Sequence, residues 1–287
     1  MTPRNTRDLP LQTALLAWYR RCGRDLPWRR TGDPYAILVS EVMLQQTQVD
    51  RVLPKYAEFM SAYPTAAALA AAPRSEVIRR WAPLGYNLRA VRLHEIARQV
   101  TAIYQGRFPE SVEGLQSLKG IGPYTAGALA CFAFRQRVAF LDTNIRRVVG
   151  RSLLGTPFPR SGDDRPVLAA AQAALPDNAY DWHQALMDLG ATVCAWRSPR
   201  CGECPIATWC IARAHFEQEA AAPARRVAEA SPGYRTQPKF AGSRRYYRGR
   251  IVAALRALPP GQSMPLRRLG EVVKPGFTIA DEPWLRG

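Results

Sequence analysis

The chain has 287 residues, of which 47% are hydrophobic, so it is long enough to bury the core of one large or two modest domains. Its 40 Lys and Arg against 23 Asp and Glu give a formal net charge of +17, which favours a polyanionic partner, nucleic acid before a membrane surface; a proteome that is Arg-rich throughout is the alternative explanation. No apolar run approaches the ~20 residues of a membrane span, and "MTPRNTRDLP" lacks the apolar centre of a signal peptide.

Apolar residues recur at helical spacing along most of the chain, and no series of alternating strand residues occurs. In "DPYAILVSEVMLQQ" we expect Asp33 as the N-cap and Pro34 as the first helical residue. Thr47 and Asp50 have the spacing of a capping box, which predicts a second helix beginning there after a tight corner. Further helices are predicted in "PTAAALAAAP", "PRSEVIRRWAPLGY", "LRAVRLHEIARQVTAIY", "DTNIRRVVGRSLL", "RPVLAAAQAAL" and "DWHQALMDLGATVC". The predicted fold class is therefore all-α.

The composition changes after Cys210. The stretch "EQEAAAPARRVAEASPGYRTQPKFAGSRRYYRGR" is rich in Ala, Pro, Arg and Gly, which is typical of a basic linker. From Arg213 to the end, 14 Lys and Arg stand against 6 Asp and Glu, a net charge of +8 in 75 residues. "YYRGRIVAALRAL" and "MPLRRLGEVV" predict two short amphipathic helices, which is how a small winged-helix-like module begins.

Four of the six cysteines fall in one short segment, "CAWRSPRCGECPIATWC", with the spacing C-x6-C-x2-C-x5-C. Four thiolates from one loop bind either Zn²⁺ or a [4Fe–4S] cluster. A zinc ribbon pairs two C-x2-C knuckles across a longer spacer, whereas one pair here is two residues apart, and this favours the [4Fe–4S] cluster. Cys22 and Cys131 stand apart and are expected in the core. The predicted cluster ligands are Cys194, Cys201, Cys204 and Cys210.

This cysteine spacing resembles the cluster loop of the endonuclease III superfamily of DNA glycosylases. The resemblance implies a [4Fe–4S] centre that holds a basic loop against DNA, with Arg197 and Arg200 as phosphate contacts. "LQSLKGIGPYTAGAL" is similar to the helix-hairpin-helix motif of the same superfamily. Gly120 and Gly122 let the backbone approach a phosphate, and the next helix points its amide hydrogens at it. For a Gly-x-Gly turn alone, an ordinary loop is the alternative interpretation.

Two carboxylates complete the resemblance. Asp142 in "VAFLDTNIRRV" lies about twenty residues beyond the hairpin, where the superfamily has a catalytic aspartate, and Asn144 matches the residue that orients it; a helix N-cap is the alternative role for Asp142. Cleaving an N-glycosidic bond also needs an acid, and apolar neighbours on its helix suit Glu41 to this role by raising its pKa. A solvent-exposed side chain is the default for a lone glutamate. Tyr124 stands where a lyase has its Schiff-base lysine, and the resemblance brings it to the active site.

Residues 40–49, "SEVMLQQTQV", closely resemble the signature of MutY-type adenine DNA glycosylases. The resemblance implies that Glu41 protonates N7 of adenine, while Asp142 stabilises the cation and forms a transient covalent sugar adduct. An extruded base needs a pocket, and wedge residues fill the gap it leaves. The pocket residues implied are Trp28 and Arg29; the wedge residues are Gln46 and Thr47, with Tyr86 of "LGYN" intercalated beside the damaged guanine. For Trp28 and Tyr86, burial in the core is the alternative.

The resemblance covers Leu9 to Ile211 and predicts a monofunctional, monomeric adenine DNA glycosylase acting on A opposite 8-oxoguanine or G in duplex DNA. Most such enzymes carry a Nudix-like domain that checks for 8-oxoguanine. Here about 75 residues follow the cluster, without a sheet-rich pattern, and "GYN" replaces the commoner "GYY". A thymine or uracil mismatch glycosylase is therefore the main alternative. A glycosylase/lyase of the endonuclease III kind and a non-catalytic iron–sulfur DNA-binding protein are two others. We expect the protein in the cytoplasm, associated with the nucleoid.

The expected organisation has five parts. Residues 1–30 contribute the amino-terminal part of a lobe that holds the cluster, residues 31–137 form a six-helix barrel with the hairpin, and residues 138–212 complete the cluster lobe. A basic linker, 213–245, and a small C-terminal helical extension, 246–287, follow. DNA is expected to lie in the cleft between the two lobes.

Overall fold

The computed structural model describes residues 10–221, 239–259 and 261–286. Within these ranges the chain forms α-helices and short 3-10 turns without any β-strand, which confirms the predicted all-α class. Among the described residues, no helix is long and apolar enough to cross a membrane. The α-helices are α1 (Pro10–Cys22), α2 (Pro34–Leu44), α3 (Val49–Ala62), α4 (Ala66–Ala71), α5 (Arg74–Trp81), α6 (Leu88–Tyr104), α7 (Val112–Ser117), α8 (Pro123–Phe132), α9 (Thr143–Leu154), α10 (Asp164–Ala173), α11 (Ala179–Thr192), α12 (Arg213–Ala221), α13 (Arg244–Arg256), α14 (Leu266–Val273) and α15 (Glu282–Arg286).

Helix α2 is the central buried helix, and it begins as its sequence predicts. The carboxylate of Asp33 accepts hydrogen bonds from the backbone N–H groups of Tyr35 (3.0 Å) and Ala36 (3.3 Å), and Pro34 is the first helical residue. Nine of the eleven helical residues are buried, as expected for a helix that is apolar on every side. Glu41 is thereby placed inside the protein rather than at its surface.

The corner after α2 differs from the expectation. Helix α3 begins at Val49, with Gln48 as an N-cap that makes no side-chain hydrogen bond, so the capping box predicted at Thr47 and Asp50 is wrong. The hydroxyl of Thr47 instead accepts a hydrogen bond from Arg89 Nη2 at 3.0 Å. Arg89, on the distant helix α6, therefore binds the hydroxyl group that the local sequence pattern assigned to the helix cap.

The described residues up to 72 and from 83 to 221 belong to one compact unit. Its helices pack in two groups: α2 against α3, α6 and α8, and α11 against α1 and α9. Helices α7 and α8 pack against each other as the predicted hairpin. Side chains such as Leu15, Phe59 and Trp182 are fully buried in the interior of this unit. The first part of the expected linker is helical, as α12, and residues 222–238 lie outside the described residues.

A second compact unit combines residues 73–82 with the described residues 239–259 and 261–286. The guanidinium of Arg79 on α5 donates to the carbonyls of Arg256 (3.1 Å) and Leu258 (2.8 Å), which stabilises the carboxyl end of α13. Helix α14 packs against α13 and buries Leu269 and Val273. The described residues of the extension are helical and contain no strand.

Candidate active site

Glu41 lies on α2 with 7% of its surface exposed. Tyr124 donates its hydroxyl hydrogen to Glu41 Oε2 at 2.5 Å, which leaves Oε1 for another partner. Burial raises the pKa of Glu41 from 4.5 to about 7; the hydrogen bond from Tyr124 and the charge of Arg29 oppose this shift, and the charge of Asp142 adds to it. Near neutral pH the carboxyl group is thus divided between its acid and its ionised form, as a general acid requires.

The hairpin is the element that brings Tyr124 to Glu41. Helix α8 begins at Pro123, with Gly122 as its N-cap, so Tyr124 points inward from the first turn and packs edge-on against Phe140, with ring centroids 5.8 Å apart. Gly120 has φ +109°, a conformation that favours glycine. A Cβ at Gly122 would find nothing within 4 Å, so the exposed side of this turn is open to a ligand. Phosphate binding here remains a prediction.

Asp142 takes the N-cap role that was considered for it, and its catalytic role stays a prediction. It is the N-cap of α9: Oδ1 accepts from the backbone N–H of Ile145 at 2.6 Å, and Oδ2 accepts from Asn144 Nδ2 at 3.0 Å. Burial raises the pKa of Asp142, while these hydrogen bonds and the charge of Arg147 act in the opposite direction. The carboxylate is held by both oxygens in a fixed orientation, and Asn144 lies where the sequence places it.

Arg147 fixes Asn144 in turn, and sequence reasoning did not identify it. Its Nη2 donates to Asn144 Oδ1 (2.8 Å) and to the carbonyl of Gly190 (2.6 Å), and its Nε donates to the carbonyl of Cys194 (2.7 Å). A Cβ at Gly190 would lie 2.6 Å from Asn144 Cβ, so only glycine fits there. The i,i+3 spacing from Asn144 was the available signal for Arg147. One arginine thus connects the carboxylate of Asp142, through Asn144, to the first cysteine of the cluster segment.

The predicted active site surrounds a cavity of about 610 Å³, a volume suited to a small-molecule ligand or an extruded base. The four predicted catalytic residues line it together, so the structure brings Glu41, Tyr124, Asp142 and Asn144 to one cavity. Gln184 of α11 also lines the cavity; it is a buried amide, 5% exposed, that sequence reasoning did not select. The position of Gln184 on the apolar side of α11 does not by itself mark it in the sequence as a site residue.

Trp28 and Arg29 form part of the cavity wall, as expected for pocket residues. Trp28 is buried and packs edge-on against Tyr56, with centroids 5.2 Å apart. Arg29 donates to both carboxylate oxygens of Asp188, at 2.9 and 2.7 Å, in a bidentate ion pair. Burial alone raises the pKa of Asp188, but hydrogen bonds and charge from Arg29 and Arg24 outweigh it and lower the pKa. Arg29 is therefore fixed in the wall by α11.

The three predicted wedge residues lie on two loops, Gln46 and Thr47 on one and Tyr86 on the other. Gln46 has φ +56° and Tyr86 has φ +46°, left-handed conformations that cost a non-glycine residue about 1–3 kcal/mol each. Tyr86 is 64% exposed, which excludes burial in the core. Thr47 is half-buried beside Gln46, and both line the cavity. Strained backbone that presents polar and aromatic side chains to solvent is typical of a binding site.

The four clustered cysteines line a second, smaller cavity, and none of the cysteines in the described residues forms a disulfide. Within the described ranges no three His, Cys, Asp or Glu side chains are close enough to bind a single metal ion. The four thiols instead line a cavity. Burial raises the pKa of the Cys204 thiol to about 12. The buried Arg151 donates a hydrogen bond from Nη1 to Cys194 Sγ at 3.2 Å. This donor set fits a [4Fe–4S] cluster.

The two predicted phosphate contacts lie in the same segment and are exposed. Arg200 donates from Nη2 to the carbonyl of Thr192 at 2.6 Å and forms an ion pair with Glu203 at 3.5 Å. Its guanidinium is therefore already oriented by the protein. The contact of Arg197 and Arg200 with phosphate stays a prediction.

Comparison with known proteins agrees with this site. The family described as HhH-GPD superfamily base excision DNA repair protein matches residues 39–161, and the iron-sulfur binding domain of endonuclease III matches residues 197–210. An adenine DNA glycosylase of Mycobacterium tuberculosis is 43% identical over 258 residues, 89% of this chain and 80% of the relative. A thymine-DNA glycosylase of Aeropyrum pernix is 37% identical over 70% of this chain and 93% of the relative. A solved structure of a thermostable thymine-DNA glycosylase superposes with a TM-score of 0.66 at 32% identity, over 71% of this chain and 94% of that one.

The match to the HhH-GPD family of base excision DNA repair proteins, together with the DNA glycosylase relatives that cover most of the chain, places this protein among the DNA glycosylases of base excision repair. The protein is thus a DNA-binding enzyme with a [4Fe–4S] cluster. The chain belongs to the adenine DNA glycosylase family within the HhH-GPD superfamily.

Proposed function

We propose that this enzyme hydrolyses the N-glycosidic bond of adenine mispaired with 8-oxoguanine or guanine in duplex DNA. The observation that carries the proposal is Glu41, a buried acid with a pKa of about 7 in a cavity shared with an oriented carboxylate. Adenine presents N7 as a proton acceptor, which a thymine ring lacks. The adenine DNA glycosylase relatives, which match most of this chain, support the same substrate.

The first chemical step is loss of the base. Glu41 gives its proton to N7 while the bond from C1′ of the sugar to N9 breaks, and the electron pair of that bond leaves with the now neutral adenine. Tyr124 holds Oε2 of Glu41, so Oε1 is the oxygen that faces the leaving group. The amide of Gln184 offers a donor and an acceptor to the edge of the extruded base.

The second step is capture of the sugar cation. Both oxygens of Asp142 are oriented by hydrogen bonds, and the charge of this carboxylate stabilises the developing oxocarbenium ion at C1′. Water then adds its oxygen to C1′ and gives a proton to the ionised Glu41, which leaves an abasic site and restores the acid form of Glu41. The cluster, when bound, holds the segment from Cys194 to Cys210 in one conformation and supplies local charge.

The remaining site residues are proposed as DNA contacts. Gln46, Thr47 and Tyr86 enter the duplex and fill the gap left by the extruded adenine. The turn at Gly120 and Gly122, with Arg197 and Arg200, contacts phosphates without reading sequence. We also propose that the enzyme acts as a monomer on chromosomal DNA in the cytoplasm, where it is associated with the nucleoid.

Side-by-side single-turnover cleavage of A:8-oxoguanine, A:G, T:G and U:G duplexes tests the substrate. We expect A:8-oxoguanine and A:G to be cleaved at least about tenfold faster than the pyrimidine mispairs, because only the purine offers N7 to Glu41. The thymine-DNA glycosylase relative makes thymine the second candidate, and faster cleavage of T:G would establish it in place of adenine.

Borohydride trapping tests whether the enzyme is also a lyase. A lyase forms a Schiff base between a lysine and the abasic sugar. In the described part of the chain no lysine lines the active-site cavity, and Tyr124 occupies the hairpin position that a lyase lysine would need. We expect less than about a hundredth of the enzyme to be trapped on a cleaved duplex. Efficient trapping would mean that the enzyme is a glycosylase/lyase.

A further inference from the structure

Arg89, near the start of α6, is a buried cation with 6% of its surface exposed. Its Nη1 donates to the carbonyls at the carboxyl end of α2, which have no partner within the helix. These are the carbonyls of Val42 (3.2 Å) and Met43 (2.8 Å), together with that of Gln45 in the loop that follows. One half of the guanidinium therefore caps the carboxyl end of α2 and fixes the direction in which the chain leaves this helix.

The other half of the same guanidinium serves both exposed loops. Its Nη2 donates to Thr47 Oγ1 (3.0 Å) and to the carbonyls of Leu84 and Gly85 (3.3 Å each). The ring of Tyr86 lies against the guanidinium carbon, which is 5.5 Å from the ring centroid. We call residues 45–47 and 84–86 the wedge loops. They are distant in sequence, and Arg89 connects them.

Each wedge loop contains one left-handed non-glycine residue, Gln46 in the first and Tyr86 in the second. A backbone in this conformation relaxes unless its surroundings hold it there. Arg89 donates to the residues on either side of Gln46 and to the two residues before Tyr86. The planar fork of arginine can span both loops, whereas the single ammonium group of lysine cannot.

We propose that Arg89 is a positioning residue that holds the two wedge loops as one rigid unit, so that Gln46 and Tyr86 enter the duplex together. The inference rests on the proposed function, because it assigns the rate effect to extrusion of the target base. Arg89 lies outside the base cavity and takes no part in the bond-breaking step. Arg89 therefore affects the excision rate only for substrates in which the target base must first leave the stack.

The Arg89→Lys variant tests this, because it keeps the charge and removes the fork. We expect its single-turnover rate on duplex A:8-oxoguanine to fall by about tenfold to hundredfold, as misplaced positioning groups do. On a bubble substrate, where the adenine is already unpaired, the rate should stay within about threefold of the wild-type rate, since extrusion is no longer limiting. Rates are normalised to active sites by burst titration, so a lower folded fraction does not alter the comparison.

Arg98→Lys is the matched control, since Arg98 is exposed on the same helix, and both of its rates should equal those of the wild type. Equal losses of Arg89→Lys on duplex and bubble would assign Arg89 a merely structural role and overturn the proposal, as would wild-type rates on both. A wild-type enzyme that cleaves neither adenine substrate would refute the proposed function instead, which keeps the two failures distinct.

A double-mutant cycle examines the coupling directly. Gln46→Ala and Tyr86→Ala should be non-additive in the wild-type background, because loss of either wedge residue disables a unit that both form. In the Arg89→Lys background the two effects should become additive within about twofold. Additivity in both backgrounds would show that the loops act independently and that Arg89 does not join them.

Discussion

Replacement of Glu41 by Gln is expected to lower the single-turnover rate of adenine excision by about 10³-fold or more, the upper range for loss of a general acid. The amide keeps the shape of the side chain, and its Oε1 can still accept the hydrogen bond that Tyr124 donates to Glu41. It has no proton to give at neutral pH, so adenine would have to leave as an anion. Quenched-flow measurement on an A:8-oxoguanine duplex gives the rate.

The control for this variant is DNA affinity. Glu41 is buried in the base cavity, so Glu41→Gln should bind the same duplex within about threefold of the wild-type affinity. Turnover close to wild type would remove Glu41 from the catalytic role. A wild-type protein that binds DNA without cleaving any mispair would instead support the non-catalytic iron–sulfur DNA-binding alternative, which the paired carboxylates argue against.

The pH dependence of protein stability provides an independent test of the Glu41→Gln variant. The pKa of Glu41 is 4.5 when unfolded and about 7 when folded, so the folded state binds its proton more tightly. Below about pH 4.5 the carboxyl is neutral in both states; between pH 4.5 and 7 the unfolded chain ionises while the folded protein keeps its proton, so stability falls over this range and the loss is complete once the pH has risen through 7. Glu41→Gln escapes this penalty and should be more stable than the wild type by about 1–3 kcal/mol near pH 8, with no difference near pH 4.5.

The features that sequence predicted correctly are those that neighbouring residues determine. The N-cap at Asp33 and the helix that follows it depend on residues within one turn. The cluster segment depends on the spacing of four cysteines in a single loop. The N-cap role of Asp142 could be predicted because the two groups that donate to its carboxylate, the N–H of Ile145 and the amide of Asn144, lie within three residues of it.

The features that sequence did not predict depend on contacts between distant segments. Arg29 pairs with Asp188 and Arg147 reaches the carbonyl of Cys194, and no local pattern marks either partner. A backbone carbonyl is available at every residue, so a buried arginine that binds carbonyls has no sequence signature. Thr47 shows the consequence: its spacing to Asp50 matched a capping box, yet Arg89 occupies its hydroxyl. Thr47 could either cap α3 or bind Arg89, and tertiary packing determines that it binds Arg89.

Replacement of Asp142 by Asn is expected to reduce excision by at least about 10³-fold, because the carboxylate charge that stabilises the sugar cation is lost. The substitution also disturbs hydrogen bonding. The new amide can accept from the N–H of Ile145, but its NH2 group then faces the NH2 group of Asn144. Asn144 cannot simply turn over, since its oxygen accepts from Arg147. We therefore expect Asp142→Asn to lower stability by about 1–2 kcal/mol as well.

A second variant separates these two effects. Combining Asp142→Asn with Asn144→Asp restores the pairing of donors and acceptors: the amide at position 142 donates to the new carboxylate, which also accepts from Arg147 Nη2. The net charge is unchanged, but the negative charge is moved away from the sugar. Thermal unfolding should therefore return close to wild type while excision stays at least about 10²-fold slower. Recovery of excision together with stability would mean that hydrogen-bond geometry, and not a charge at position 142, carries this part of the reaction.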